Sequence, residues 1–101
     1  MSVGLDDDTR TRLAEVLAEE PEISRALLFG SRAKGTNRSG SDLDLCLEGR
    51  SISHGTLSRL ESAIDDLLLP WEVDLVAKAD INNPQLLEHI ERVGVVIFQA
   101  T

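Results

Sequence analysis

One cysteine is all the chain has, so Cys46 can form neither an internal disulfide nor a cysteine cage for a metal, and nothing asks for an oxidising compartment. Tyrosine is absent, and two Phe and one Trp are too few for the stacking platforms that hold single-stranded nucleic acid. Basic residues are scarce as well. Ten Lys and Arg against 18 Asp and Glu leave a net charge of −8, which repels the phosphate backbone of extended nucleic acid. No apolar run approaches the ~20 residues needed to cross a bilayer. The start, Met-Ser-Val-Gly-Leu and then three aspartates, lacks the basic segment and apolar run of a signal peptide. These absences predict a soluble, cytoplasmic protein with no membrane contact and no extended nucleic-acid partner.

What is present suits one compact unit. With 101 residues, 42% of them apolar, the chain can bury a modest core, and residues 1–101 are expected to form a single domain. From Asp6 to Glu20, Leu13, Val16 and Leu17 recur at helical spacing, with acids before the first turn and Pro21 as the stop. Ala26 to Phe29 is a short apolar run ending at Gly30 and suits a buried strand. From Ser41 to Gly49 strict alternation puts Leu43, Leu45 and Leu47 on one face and Asp42 and Asp44 on the other.

A second helical stripe follows in Leu57, Leu60, Ala63, Ile64, Leu67 and Leu68, closed by Pro70. Trp71 to Val76 alternates again, Asp74 falling between Val73 and Leu75. Asn83-Pro84 reads as a cap and first turn for a helix carrying Leu86, Leu87, Ile90 and Val93 up to Gly94, and Val95 to Phe98 is a final strand. This order predicts an α/β (α+β) fold, a small mixed sheet covered by helices. The helix between the second and third strands permits a parallel crossover, whereas the first two strands suit an antiparallel pair.

Two segments carry chemistry. Gly30-Ser31-Arg32-Ala33-Lys34-Gly35 has the G-x-x-x-x-G spacing of a P-loop, but Thr36 and Asn37 stand where Lys and Ser or Thr are required, so that reading fails. Taken alone, a solvated surface turn is the commoner meaning of such a stretch. A strand that ends in Gly-Ser and turns into a short helix nevertheless offers N–H groups, a hydroxyl and a positive dipole end to an anion. Arg32, Lys34 and Arg38 strengthen that phosphate seat, because no acid stands between Glu22 and Asp42.

The second segment is Asp42-Leu43-Asp44. An isolated D-x-D is more often the polar face of an exposed strand, and an EF-hand is excluded because Leu45 occupies a ligand position and no Gly-plus-Glu pattern follows. Asp74 on another strand changes the reading. If the strands are neighbours, three acids converge on one face, where like charges repel unless a cation holds them together. Hard oxygen ligands suit magnesium or manganese, which complete their shells with water and substrate phosphate. Phosphoryl chemistry of this kind needs positioning and charge rather than a protein nucleophile.

Other residues have plainer readings. Cys46 is a small buried residue of its strand. His54 and His89 are not at ligand spacing with one another. Trp71 is read as packing rather than as a base-stacking ring. Asp6, Asp7 and Asp8 serve as helix cap and dipole charges rather than as a metal site.

Gly30-Ser31, ten further residues, Asp42-Leu43-Asp44 and a later Asp74 together resemble the minimal nucleotidyltransferase domains of the DNA polymerase beta superfamily, and the likeness spans nearly the whole chain. Leu69-Pro70-Trp71-Glu72-Val73-Asp74-Leu75 is also similar to small bacterial members. The resemblance implies a nucleotidyltransferase fold. It implies that Ser31 binds the terminal phosphates of a nucleoside triphosphate, Gly30 allowing close approach and Arg32 assisting. Asp42, Asp44 and Asp74 would be catalytic metal ligands for Mg2+ or Mn2+, Asp74 also helping to deprotonate the acceptor hydroxyl.

Such enzymes transfer a nucleoside monophosphate and release pyrophosphate. Larger relatives hold their acceptors with added domains. Small members are encoded beside a helical HEPN-type protein, and the resemblance to their MntA-like antitoxins implies transfer of AMP from ATP to a tyrosine of that toxin. Two alternatives stay open: the catalytic subunit of a two-component small-molecule nucleotidyltransferase, and a non-catalytic module that neutralises its partner by binding.

Overall fold

The computed structural model describes residues 7–29, 43–69 and 72–100, and everything below concerns these. Helix α1 spans Asp7–Ala18, strand β1 Arg25–Phe29, strand β2 Leu43–Glu48, helix α2 His54–Asp65, strand β3 Val73–Ala77, helix α3 Pro84–Val93 and strand β4 Val95–Gln99, with a single 3-10 turn at Lys78–Asp80. Among the described residues the three longer expected helices and the four expected strands form, and no helix there is long and apolar enough to cross a membrane. The short helix expected after Gly30-Ser31, with Lys34 and Arg38, lies outside the described residues.

The strands make one four-stranded sheet in the order β3-β2-β1-β4. Both expected pairings hold: β1 runs antiparallel to β2, and β3 lies parallel to β2 after the α2 crossover. β4 adds antiparallel to β1 on the far side, with a register irregularity between Ala26 and Leu27. The sheet is therefore mixed, with helices above and below.

Side-chain alternation divides the core between the two faces. On one, Ala26, Leu28, Leu43, Leu45, Leu47 and Ile97 meet Leu13 and Leu17 of α1 and Leu60 and Ile64 of α2. On the other, Phe29 and Cys46 meet Ile90 of α3, with Val76, Ile81 and Leu86 packed around them. Because β1 is central and covered on both faces, Ala26 through Phe29 are all buried, which is why that run is continuously apolar. Each fully buried leucine contributes about 1.5–3 kcal/mol.

Helix ends follow local chemistry. Ser53 caps α2 by accepting from the Thr56 backbone N–H at 3.1 Å, and Asn83 caps α3 by accepting from that of Gln85 at 2.9 Å, with Pro84 in the first turn. Gly94 permits the tight exit from α3, since a Cβ there would collide with the Ile90 carbonyl oxygen.

One expectation needs correction. The stripe assigned to the second helix runs through Leu68, but α2 ends at Asp65. Leu67 turns back to pack on the core, whereas Leu68 adopts φ 56° and is 87% exposed. A single apolar periodicity cannot distinguish a helix from the apolar turn that follows it.

Candidate active site

β2 and β3 begin side by side, tied by the Leu43 N–H donating to the Glu72 carbonyl at 3.0 Å. One residue further in, Asp44 and Asp74 are Cα partners in the parallel register. Residues abreast on adjacent strands point to the same face, and neighbouring strands are about 4.8 Å apart. The two acids, 30 residues apart in sequence, therefore share one surface at one end of the sheet. Asp44 is half-buried and Asp74 exposed.

The antiparallel partner of Asp44 on its other side is Phe29, the last residue of β1. Gly30 and Ser31 follow Phe29 in the chain, and Asp42 precedes Leu43. Gly30, Ser31, Arg32 and Asp42 themselves lie outside the described residues, as does Trp71. Phe29 as a neighbour of Asp44 was not anticipated. Its place at the end of an apolar strand was the available signal, but only the register makes it a neighbour.

Moving along the same face, Cys46 and Val76 succeed Asp44 and Asp74 beneath α3. Burial first, and then the nearby Glu48 carboxylate, pushes the Cys46 thiol up to about 11, so it stays protonated and serves as packing. At the far end Arg25 makes a bidentate pair with Glu48, at 2.9 and 2.8 Å, and Lys78 reaches the same carboxylate at 3.4 Å and Glu91 at 3.7 Å. The Arg25 hydrogen bond is the main cause that holds the Glu48 carboxyl below the usual range. The Asp44–Asp74 end is thus separated from the ion-paired end by an apolar band.

Carboxylate oxygens placed abreast on one surface form a donor set that fits a hard divalent cation. Among the described residues no three His, Cys, Asp or Glu side chains gather to hold one, the third acid of the expected trio being Asp42. His54 is exposed at the start of α2 and His89 half-buried on α3.

Residues 11–101 match the family described as "Polymerase beta, Nucleotidyltransferase". The chain belongs to that family. It is 30% identical over 79 residues to a protein of Methanocaldococcus jannaschii named "Putative protein adenylyltransferase", the match covering 76% of this chain and 79% of the relative. A second protein of that organism with the same description is 33% identical over 78 residues, covering 76% and 79%.

The fold also matches solved structures at low identity. One is the crystal structure of a toxin-antitoxin with AMP-PNP, at TM-score 0.71 and 20% identity, covering 91% of this chain and 74% of that one. Another is a tri-AMPylated Shewanella oneidensis HEPN toxin in complex with its MNT antitoxin, at TM-score 0.71 and 16% identity, covering 95% and 74%. The MntA-HepT toxin-antitoxin structure matches at TM-score 0.69 and 16% identity, covering 94% and 74%. A four-stranded mixed sheet with helices on both faces is accordingly the nucleotidyltransferase fold, and the chain is a nucleotidyltransferase by family.

Proposed function

We propose that this nucleotidyltransferase is a protein adenylyltransferase, moving AMP from ATP to a hydroxyl, that of a tyrosine, on a helical HEPN-type partner and so acting as its antitoxin. The observation that carries the reading is the pairing of Asp44 with Asp74 across adjacent parallel strands in a chain of this family. Support comes from the relatives described as protein adenylyltransferases and from a solved structure of the same fold in which an MNT antitoxin accompanies an AMPylated HEPN toxin.

Asp42, Asp44 and Asp74 would hold Mg2+, or Mn2+ in its place. Bound there, the ion supplies charge neutralisation of the reacting phosphate and orientation of its oxygens. Ser31, Gly30 and Arg32 would seat the terminal phosphates, so that the α-phosphorus faces the acidic surface. The acceptor oxygen forms its bond to that phosphorus as the bond to the pyrophosphate oxygen breaks, and the Asp74 carboxylate takes the hydroxyl proton. Exposure suits Asp74 to this contact, since an acceptor on another protein must reach it from solvent.

The test is incubation with a purified HEPN-type protein from the same genome, labelled ATP and magnesium, followed by intact-mass and peptide mass spectrometry. A mass increase of one AMP on a tyrosine of the partner is expected from the native chain and not from Asp44→Asn. Label on a small molecule in place of protein would overturn the acceptor assignment, and neutralisation of the partner by Asp44→Asn without transfer would make binding rather than catalysis the mode of action.

A further inference from the structure

We infer that the turn at Leu68 is a docking surface for a basic face of the protein partner, an apolar knob flanked by acids between α2 and β3. The inference rests on the reading of a protein acceptor given above.

Leu68 is anomalous in two independent ways. It is 87% exposed, and its backbone is left-handed at φ 56°, a conformation unfavourable for a bulky side chain and suited to glycine or asparagine. The turn itself is ordered by backbone hydrogen bonds, Leu67 N–H to the Ile64 carbonyl and Leu68 N–H to that of Asp65, and by Arg12, which donates to the Leu67 carbonyl at 3.1 Å. Leu67 and Leu69 on either side pack on the core. Leu68 is thus held outward by a fixed frame, exposed and in a backbone conformation unfavourable to leucine.

Charge says what kind of surface would cover it. From Leu60 to Ala77 the sequence has Glu61, Asp65, Asp66, Glu72 and Asp74 and neither Lys nor Arg. Glu61, Asp65, Asp66 and Glu72 are all exposed. Arg12, which reaches this turn, is engaged by the Leu67 carbonyl and lies 3.9 Å from Asp8. The complementary surface is an apolar socket bordered by Lys and Arg; a second copy of this chain, at net −8, would be repelled.

Chain connectivity limits how far the turn lies from the acids. Leu68 precedes Asp74 by six residues, so the two are no more than about 22 Å apart even along an extended chain. The turn feeds β3, an edge strand of the sheet. A partner seated on Leu68 would therefore contact the chain no farther than that from Asp74, on the α2 side of the sheet.

Leu68→Asn separates this role from folding, because asparagine tolerates the left-handed backbone and removes the exposed apolar side chain. Binding of the purified HEPN-type partner is measured by calorimetry for the full chain, the L68N variant and an Asp65→Lys, Asp66→Lys variant, at low and high salt, alongside thermal melts. The expected result is an unchanged or higher Tm for L68N with at least tenfold weaker binding. Weaker binding of the lysine variant and a loss of native affinity at high salt are also expected. Equal binding by native chain and L68N would overturn the docking surface alone, whereas no binding by the native chain would overturn the protein-partner reading with it.

Discussion

Asp44 lies directly abreast of Asp74 in a parallel strand pair, so the distance between the two acids is set by backbone hydrogen bonding rather than by side-chain flexibility. A site built this way is preorganised, because the strands that carry the acids are locked from below by Leu43, Leu45 and Leu47 on the opposite face. The same alternation that buries the leucines presents the aspartates.

Replacing either acid should therefore separate activity from folding. Asp74→Asn is expected to lower AMP transfer by roughly 10²- to 10³-fold, the usual cost of removing one preorganised electrostatic group. Its melting temperature should stay close to that of the native chain, since Asp74 is exposed. Single-turnover transfer and a thermal melt on the same preparation check both halves, and full transfer by the variant would remove Asp74 from the site.

The scaffold beneath should respond in the opposite sense. Leu45 is fully buried in the cluster shared by α1, α2 and the sheet, so Leu45→Ala is expected to cost about 2–5 kcal/mol. Urea denaturation gives the value. A loss below about 1 kcal/mol would mean that the sheet does not pack on these helices as described.

Ser53 offers a gentler probe. Its side chain satisfies the Thr56 backbone N–H at the start of α2, and Ser53→Ala should destabilise by about 0.5–2 kcal/mol, with Ser53→Gly milder. Denaturation midpoints of the three proteins test the ranking.

Acid should weaken the far end of the sheet. The folded-state pKa of Glu48 is depressed, chiefly by its hydrogen bond from Arg25, below the ordinary value of 4.5. The unfolded chain therefore binds more protons at this group than the folded one, and the contribution to stability is fully present above pH 4.5 and lost as pH falls through the folded value. Glu20, held down mainly by Arg59, acts in the same direction. Stability measured at pH 7 and at pH 3 should fall between the two, and Glu48→Gln should reduce that fall. An unchanged fall in the variant would show that the Arg25 pair does not couple to folding.

Element order, the alternation that sets Asp44 against the leucines of β2, the cap at Asn83-Pro84 and the D-x-D pattern could be read from local sequence, because each depends on neighbours a few residues apart. Strand 26–29 was legible for the same reason: a continuous apolar run means cover on both faces. That Asp44 lies abreast of Asp74, that Phe29 flanks Asp44 on the other side, and that Leu68 leaves the helical stripe to stand in solvent emerged with the fold. Those outcomes depend on strand register and on where a helix stops relative to the sheet. They are fixed by long-range backbone pairing and packing, which no local periodicity records.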